Sequence, residues 1–257
     1  MPQALAPVLS LLPLKRPKGL LEVFGERMIE RQIRQLHEAG VYDITIAVGY
    51  LKEKFEYLID KYDVKLLYNP EYSCKNTLAT VYRARHLLKG RNMYILSSDN
   101  WLRDNMFHAY ECGAWYASSY MEGDTSEWCL SFNKKGRITH VEVGGHDSWV
   151  MYGPVFFSAS FSEQFLPLLE QYYHTPGTEQ FYWENVLIEH LDTLEMDINR
   201  QPEHQIYELK IWRSCACLMN AIRTIRIMRQ WIWYPGYLRC LSPILQISAS
   251  PESRNDK

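Results

Sequence analysis

Along residues 28–99 apolar and polar positions switch repeatedly between a helical and a strand period. In MIERQIRQLHEA (28–39) Met28, Ile29, Ile33 and Leu36 share one helical face, charges lie opposite, and Gly40 follows the last turn. That spacing predicts an amphipathic helix. DITIAVGY (43–50) is a short buried-type strand, LKEKFEYLIDKY (51–62) returns to the helical period through Leu51, Phe55, Leu58 and Ile59, and VKLLYN (64–69) is again strand-like. A helix over TLATVYRARHLL (77–88) leads into NMYILSSD (92–99), a strand that ends on Asp99. Such alternation predicts an α/β fold: a mostly parallel central sheet flanked by helices, with ligands bound beyond the carboxyl ends of the strands.

Past Asp99 the segments shorten. EWCLSFN (127–133), RITHVEV (137–143) and SWVMYGPVFFS (148–158), separated by Gly136, Gly144 and Gly145, predict a smaller mixed β region. FSEQFLPLLEQYY (161–173) and FYWENVLIEHLDTL (181–194) read as amphipathic helices joined by a Pro- and Gly-containing turn. After Leu209 the chain becomes basic and Trp-rich, with eight Lys and Arg against two acids over 210–257 and no clean helical period.

A chain of 257 residues, 47% hydrophobic, can bury one substantial core. Its net charge of -2 argues against nucleic acid as a partner, because backbone binders carry a basic excess. The six cysteines form no C-x-x-C pair, which fits reduced thiols in a cytoplasmic protein. The run ALAPVLSLLPL lacks the basic flank and cleavage site of a signal peptide, and no apolar stretch is long enough to span a membrane. Small-molecule chemistry is what remains.

With RPKGLLEVFGERMIERQIRQL, DITIAVGYLKEKFEYL, YNPEY, YILSSDN and FYWENVL in that order, the chain resembles the bacterial phosphocholine cytidylyltransferases of the sugar-phosphate (MobA-like) nucleotidyltransferase superfamily. The resemblance covers residues 14–209 and implies a Rossmann-like nucleotidyltransferase fold over them. It further implies transfer of a cytidylyl group from CTP to phosphocholine, giving CDP-choline and pyrophosphate with Mg2+, in a gene whose intact form continues into a choline-kinase-like domain. A sugar-phosphate nucleotidyltransferase and a non-catalytic choline-binding pseudoenzyme are the alternatives.

The resemblance also implies roles. Lys18 would contact phosphate and, with Asp99 and Glu184, form the catalytic set, the two carboxylates holding the metal. Joining two anionic reactants demands such charge neutralisation. Asn76 stands where the family has a nucleotide-binding asparagine pair, but its neighbour here is Lys75; Glu208 matches a further family acid. A quaternary ammonium donates no hydrogen bond and is recognised by aromatic faces, for which Trp128, Trp149, Tyr152, Tyr182 and Trp183 are candidates.

The family's first strand and phosphate loop read approximately AAGxGSRxxPLT, whose glycines admit a triphosphate close to backbone N–H groups. Residues 1–17 contain no glycine. Synonymous codons for MPQALAPVLSLLPL can encode AAGFGSRFVPLTL in another frame, and the same shift after Leu209 yields an acidic helical sequence. Residues 1–13 are therefore expected to be a frameshifted remnant of the loop and residues 210–257 an out-of-frame tail, with catalysis impaired.

Overall fold

The computed structural model describes residues 17–208 and the strand 245–249. The expectations for residues 1–13 and for most of the tail lie outside these residues. The chain enters as a 3₁₀ turn at Lys18–Leu20, crosses a small hairpin of β1 (Glu22–Val23) and β2 (Glu26–Arg27), and continues directly into α1 (Met28–Glu38). Then follow β3 (Asp43–Val48), α2 (Tyr57–Tyr62), β4 (Lys65–Tyr68), α3 (Thr77–Leu88), β5 (Met93–Ser97) and β6 (Asn100–Leu102). The rest is β7 (Trp115–Phe132), β8 (Ile138–Phe157), α4 (Ala159–His174), α5 (Trp183–Glu189), β9 (Asp197–Arg200), β10 (Ile206–Glu208) and β11 (Leu245–Ala249).

Seven strands form the main sheet in the order β4-β3-β11-β5-β8-β7-β9. Helices flank it, as expected of the fold, but of its six neighbouring pairs only β3–β4 and β7–β9 are parallel. The expected parallel majority gives way because β8 runs antiparallel to β5 and β7, and β11 runs antiparallel to both β3 and β5.

Two apolar clusters hold the layers together. On one side Ile29, Ile33 and Leu36 of α1 meet Ile44, Ile46 and Val48 of β3 and Leu96 of β5. On the other, Leu78, Val81 and Leu88 of α3 meet Phe161, Phe165 and Leu169 of α4 and Trp183, Val186 and Leu187 of α5.

Three expected elements differ. Leu51 takes a left-handed backbone (φ 52), so the helix expected over 51–62 breaks into a 3₁₀ turn at Lys52–Phe55 followed by α2. The helix expected over 181–194 is confined to α5, because the chain turns at His190, whose carbonyl accepts from Leu194 N at 2.7 Å. β7 and β8 are one long hairpin of 18 and 20 residues rather than three short strands. Residues 119–128 of β7 are only half-buried or exposed on both faces, so no apolar alternation marks them, and the glycines at 144 and 145 sit among register shifts instead of ending a strand.

Candidate active site

The loop between β5 and β6 carries Asp99, 7% exposed, just past the carboxyl end of β5. Its Oδ2 accepts from Lys18 Nζ at 3.0 Å and its Oδ1 from Ser97 Oγ at 2.5 Å. Lys18 reaches it because the neighbouring Gly19 packs directly on Ser98: a Cβ on Gly19 would stand 2.9 Å from Ser98 Cβ. The P-K-G sequence thus fixes a cation beside the loop carboxylate. Both partners are residues to which the family resemblance gives site roles, phosphate contact for Lys18 and metal ligation for Asp99; their pairing is a property of the fold.

The residue that braces this loop was not anticipated. Gln32, fully buried on α1, donates from Nε2 to Ser97 O and to Asn100 O, both at 2.8 Å, and so clamps the backbone on either side of Asp99. A signal existed: position 32 falls on the apolar face with Met28, Ile29, Ile33 and Leu36, where an amide is costly unless it has a task.

β10 pairs antiparallel with β6, placing Glu208 opposite Asn100, the residue after Asp99. Tyr152 of β8 accepts from Glu208 N at 3.3 Å, and burial first, then the Glu208, Glu127 and Asp99 charges, push its hydroxyl well above the usual tyrosine range. Tyr116 of β7 is buried and donates to Glu184 Oε1 at 3.3 Å; burial and the Glu184 and Glu208 charges raise it likewise. Four carboxylates, Asp99, Glu127, Glu184 and Glu208, therefore act on two tyrosines of neighbouring strands, Tyr116 buried and Tyr152 half-buried.

Glu184 occupies the first turn of α5, half-buried, with its Oε2 enclosed and unpartnered; burial pushes its carboxyl up to about 7. A buried carboxylate with an orphan oxygen is poised for a donor or a cation.

The aromatic candidates separate. Trp128 and the 41% exposed Tyr182 meet edge to face, with centroids 5.6 Å apart, and form a half-open pair of the kind a cation can enter. Trp183 does not belong with them. Its ring is 2% exposed and packs on Tyr116, Phe157 and Phe165, because the first turn of α5 points it into the core. Trp149 lies against Tyr120 on the hairpin and already has the Arg200 guanidinium over its ring at 5.7 Å.

Asn76 is committed locally: Oδ1 caps α3 through Thr77 N at 2.8 Å, and Nδ2 donates to Gln180 O at 3.2 Å. Upstream in the same loop, Glu71 accepts from Arg83 Nη2 at 2.8 Å and from Tyr173 OH at 2.8 Å, and pairs with Lys75 Nζ at 2.8 Å. Desolvation opposes its charge, but these donors outweigh it and hold the carboxyl down at about 2. Tyr173 stacks on Tyr82 with centroids 3.6 Å apart and planes 7° from parallel, Lys75 covers Tyr173, and Arg85 covers Tyr82.

Among the described residues no group of three or more His, Cys, Asp or Glu side chains is close enough to hold a metal alone, Cys74, Cys112 and Cys129 are free thiols, and no helix is long and apolar enough to cross a membrane.

A lysine–carboxylate pair at the carboxyl edge of an α/β sheet is the charge arrangement that a nucleotidyltransferase needs, and Glu208 of β10 and Glu184 of α5 add further acids. The MobA-like NTP transferase domain matches residues 13–177, and the chain belongs to that family. It is 32% identical over 193 residues to a choline-phosphate cytidylyltransferase of Streptococcus pneumoniae, covering 75% of this chain and 83% of that protein. It is 33% identical over 195 residues to a 2-aminoethylphosphonate cytidylyltransferase of Lancefieldella rimae, covering 75% of this chain and 79% of that protein. The solved structure of the CTP:phosphocholine cytidylyltransferase from Streptococcus pneumoniae matches with a TM-score of 0.77 at 29% identity, over 81% of this chain and 90% of that one. The resemblance read from the motifs is thereby matched in both sequence and fold.

Proposed function

We propose that this chain transfers a cytidylyl group from CTP to phosphocholine. An oxygen of the acceptor phosphate attacks the α-phosphorus of CTP, a new P–O bond forms, and pyrophosphate leaves, yielding CDP-choline. The observation that carries this reading is the Lys18–Asp99 pair, 3.0 Å apart, in a chain that also presents the half-open Trp128–Tyr182 pair. Lys18 would move from Asp99 to the phosphates and stabilise charge developing there.

The residues fit a divalent cation of the Mg2+ type, which binds through one or two carboxylates together with substrate phosphates rather than in an all-protein cage. Asp99 would supply one ligand. Glu208, whose backbone pairs opposite Asn100, is the candidate for the second, since Glu184 is half-buried and already accepts from Tyr116 OH. Bound there, the ion would neutralise phosphate charge on both reactants.

For the cationic head group, Trp128 and Tyr182 offer ring faces while Glu184, two residues from Tyr182, offers a counter-charge. A sugar acceptor would require polar contacts where these rings stand. One observation favours a second acceptor: Glu184 Oε2 lacks a donor, and a primary ammonium, as in 2-aminoethylphosphonate, can supply one where a quaternary ammonium cannot. With no glycine in residues 1–17, turnover is expected to be slow.

The test is pyrophosphate release from CTP and Mg2+ with phosphocholine, 2-aminoethylphosphonate or glucose 1-phosphate. Release with phosphocholine supports the proposal, and faster release with the aminophosphonate supports the second reading. Release with glucose 1-phosphate alone refutes both. Phosphocholine binding without release identifies a pseudoenzyme.

A further inference from the structure

The loop after β4 and the segment leading into α5 are stitched together at a single place. Asn76 N donates to Glu179 O at 2.9 Å, Leu78 N to Phe181 O at 3.3 Å, and Gln180 Nε2 to Cys74 O at 2.9 Å. The last stitch differs in kind. Trp183 N, in the first turn of α5, donates at 3.2 Å to Thr77 Oγ1, a residue 106 positions earlier and the first of α3. The opening N–H groups of a helix have no acceptor within it and are normally answered by their own N-cap. Here Asn185 Oδ1 answers Tyr182 N at 2.8 Å, while the next donor in line is answered by another helix. Asn76 caps its own helix; its neighbour caps a different one.

We propose that Thr77 is a positioning residue for the acceptor half of the site: its hydroxyl fixes the first turn of α5, and with it Tyr182 and Glu184. The inference deepens the reading above and rests on the assignment of those two residues to the head group. α5 has only seven residues and α3 and α5 share the apolar cluster around Trp183, so a displaced first turn has little helix to correct it. The proposal separates Thr77 from general packing, because the apolar contacts survive when only the oxygen is removed.

The experiment compares wild type, Thr77→Val, Thr77→Ala and Thr77→Ser. Valine keeps the shape and removes the acceptor, alanine guards against misfolding because it suits a helix better, and serine restores the oxygen. Calorimetric titration of phosphocholine should show a weakening of roughly fivefold in T77V and T77A, the factor expected for a lost cap of about 1 kcal/mol, with T77S close to wild type. CTP affinity should not change. In the ligand-free protein the Trp183 amide should exchange about tenfold faster in T77V, as local opening at that turn becomes easier. Unchanged Trp183 exchange, unchanged phosphocholine affinity, or an equal loss for CTP each overturns the proposal. A wild type that binds no phosphocholine while Trp183 exchange responds as expected refutes the acceptor assignment, and with it the role of Thr77 in binding.

Discussion

Lys18 Nζ and Asp99 Oδ2 lie 3.0 Å apart, from residues 81 positions apart in sequence, with side-chain exposures of 10% and 9%. Attraction between two charges so far from solvent is strong, yet each has lost most of its hydration, so the pair contributes more to specificity of geometry than to net stability.

Substituting one partner leaves the other charged and unpaired. Asp99→Asn is expected to lower unfolding free energy by about 3 kcal/mol and to abolish pyrophosphate release, and Lys18→Met should behave similarly. The double variant should recover part of the stability but none of the turnover. Urea denaturation of all four proteins reads this directly; additive losses would show that the pair is not coupled.

Gln32 supports Asp99 without facing substrate. Gln32→Leu keeps the volume while depriving Ser97 O and Asn100 O of their shared donor. We expect a stability loss of about 2 kcal/mol and a fall in kcat of about tenfold or more at saturating substrates, because the Asp99 loop loses its clamp. A stability loss with kcat intact would reduce Gln32 to a packing role.

Glu184 makes stability depend on pH. Burial raises its carboxyl from an ordinary 4.5 to about 7, so the folded protein binds this proton more tightly than the unfolded chain does. Its contribution is fully present below pH 4.5 and is lost as pH rises through 7, a change of about 3 kcal/mol across that window. Glu184→Gln should remove this slope. The stability difference between wild type and variant, followed from pH 4 to 8, measures it, and a flat difference would contradict the buried environment.

Trp128 and Tyr182 should matter to the acceptor and not to the nucleotide. Trp128→Ala is expected to weaken phosphocholine binding about tenfold, within the range of a partly desolvated cation–π contact, and to leave CTP binding unchanged. Tyr182→Phe should be nearly silent, since the ring face is retained. Titration calorimetry with each ligand separately distinguishes the outcomes, and an equal effect on CTP would place the pair elsewhere in the site.

Sequence patterning made α1, α3 and α4 legible because each buries one face and so repeats at the helical period, while β3 and β5, buried on both faces, and β4 stand out as short apolar runs between helices. The β7–β8 hairpin was not legible over residues 119–128, where neither face is consistently buried and nothing forces alternation. Strand direction also escaped, since an apolar run such as VMYGPVFF has the same pattern whichever way it crosses the sheet. At the site, Lys18 and Asp99 stand out through the RPKG and SSDN motifs of the family resemblance, but their pairing depends on the fold. Trp183 could not be sorted from Tyr182 because one step along a helix start separates core from cleft, and the pairing of Glu208 with Asn100 depends on tertiary register alone.

The Tyr82–Tyr173 stack carries a consequence of its own. Two phenol rings stacked 3.6 Å apart in nearly parallel planes have strongly interacting ultraviolet transitions, and Lys75 and Arg85 hold a cation against each outer face. Since Tyr173 also donates to Glu71 in the loop before α3, any rearrangement of that loop tugs on one ring of the pair. The protein thus contains a native chromophore couple whose near-ultraviolet dichroism reports, without any label, whether the loop leading into α3 is in place.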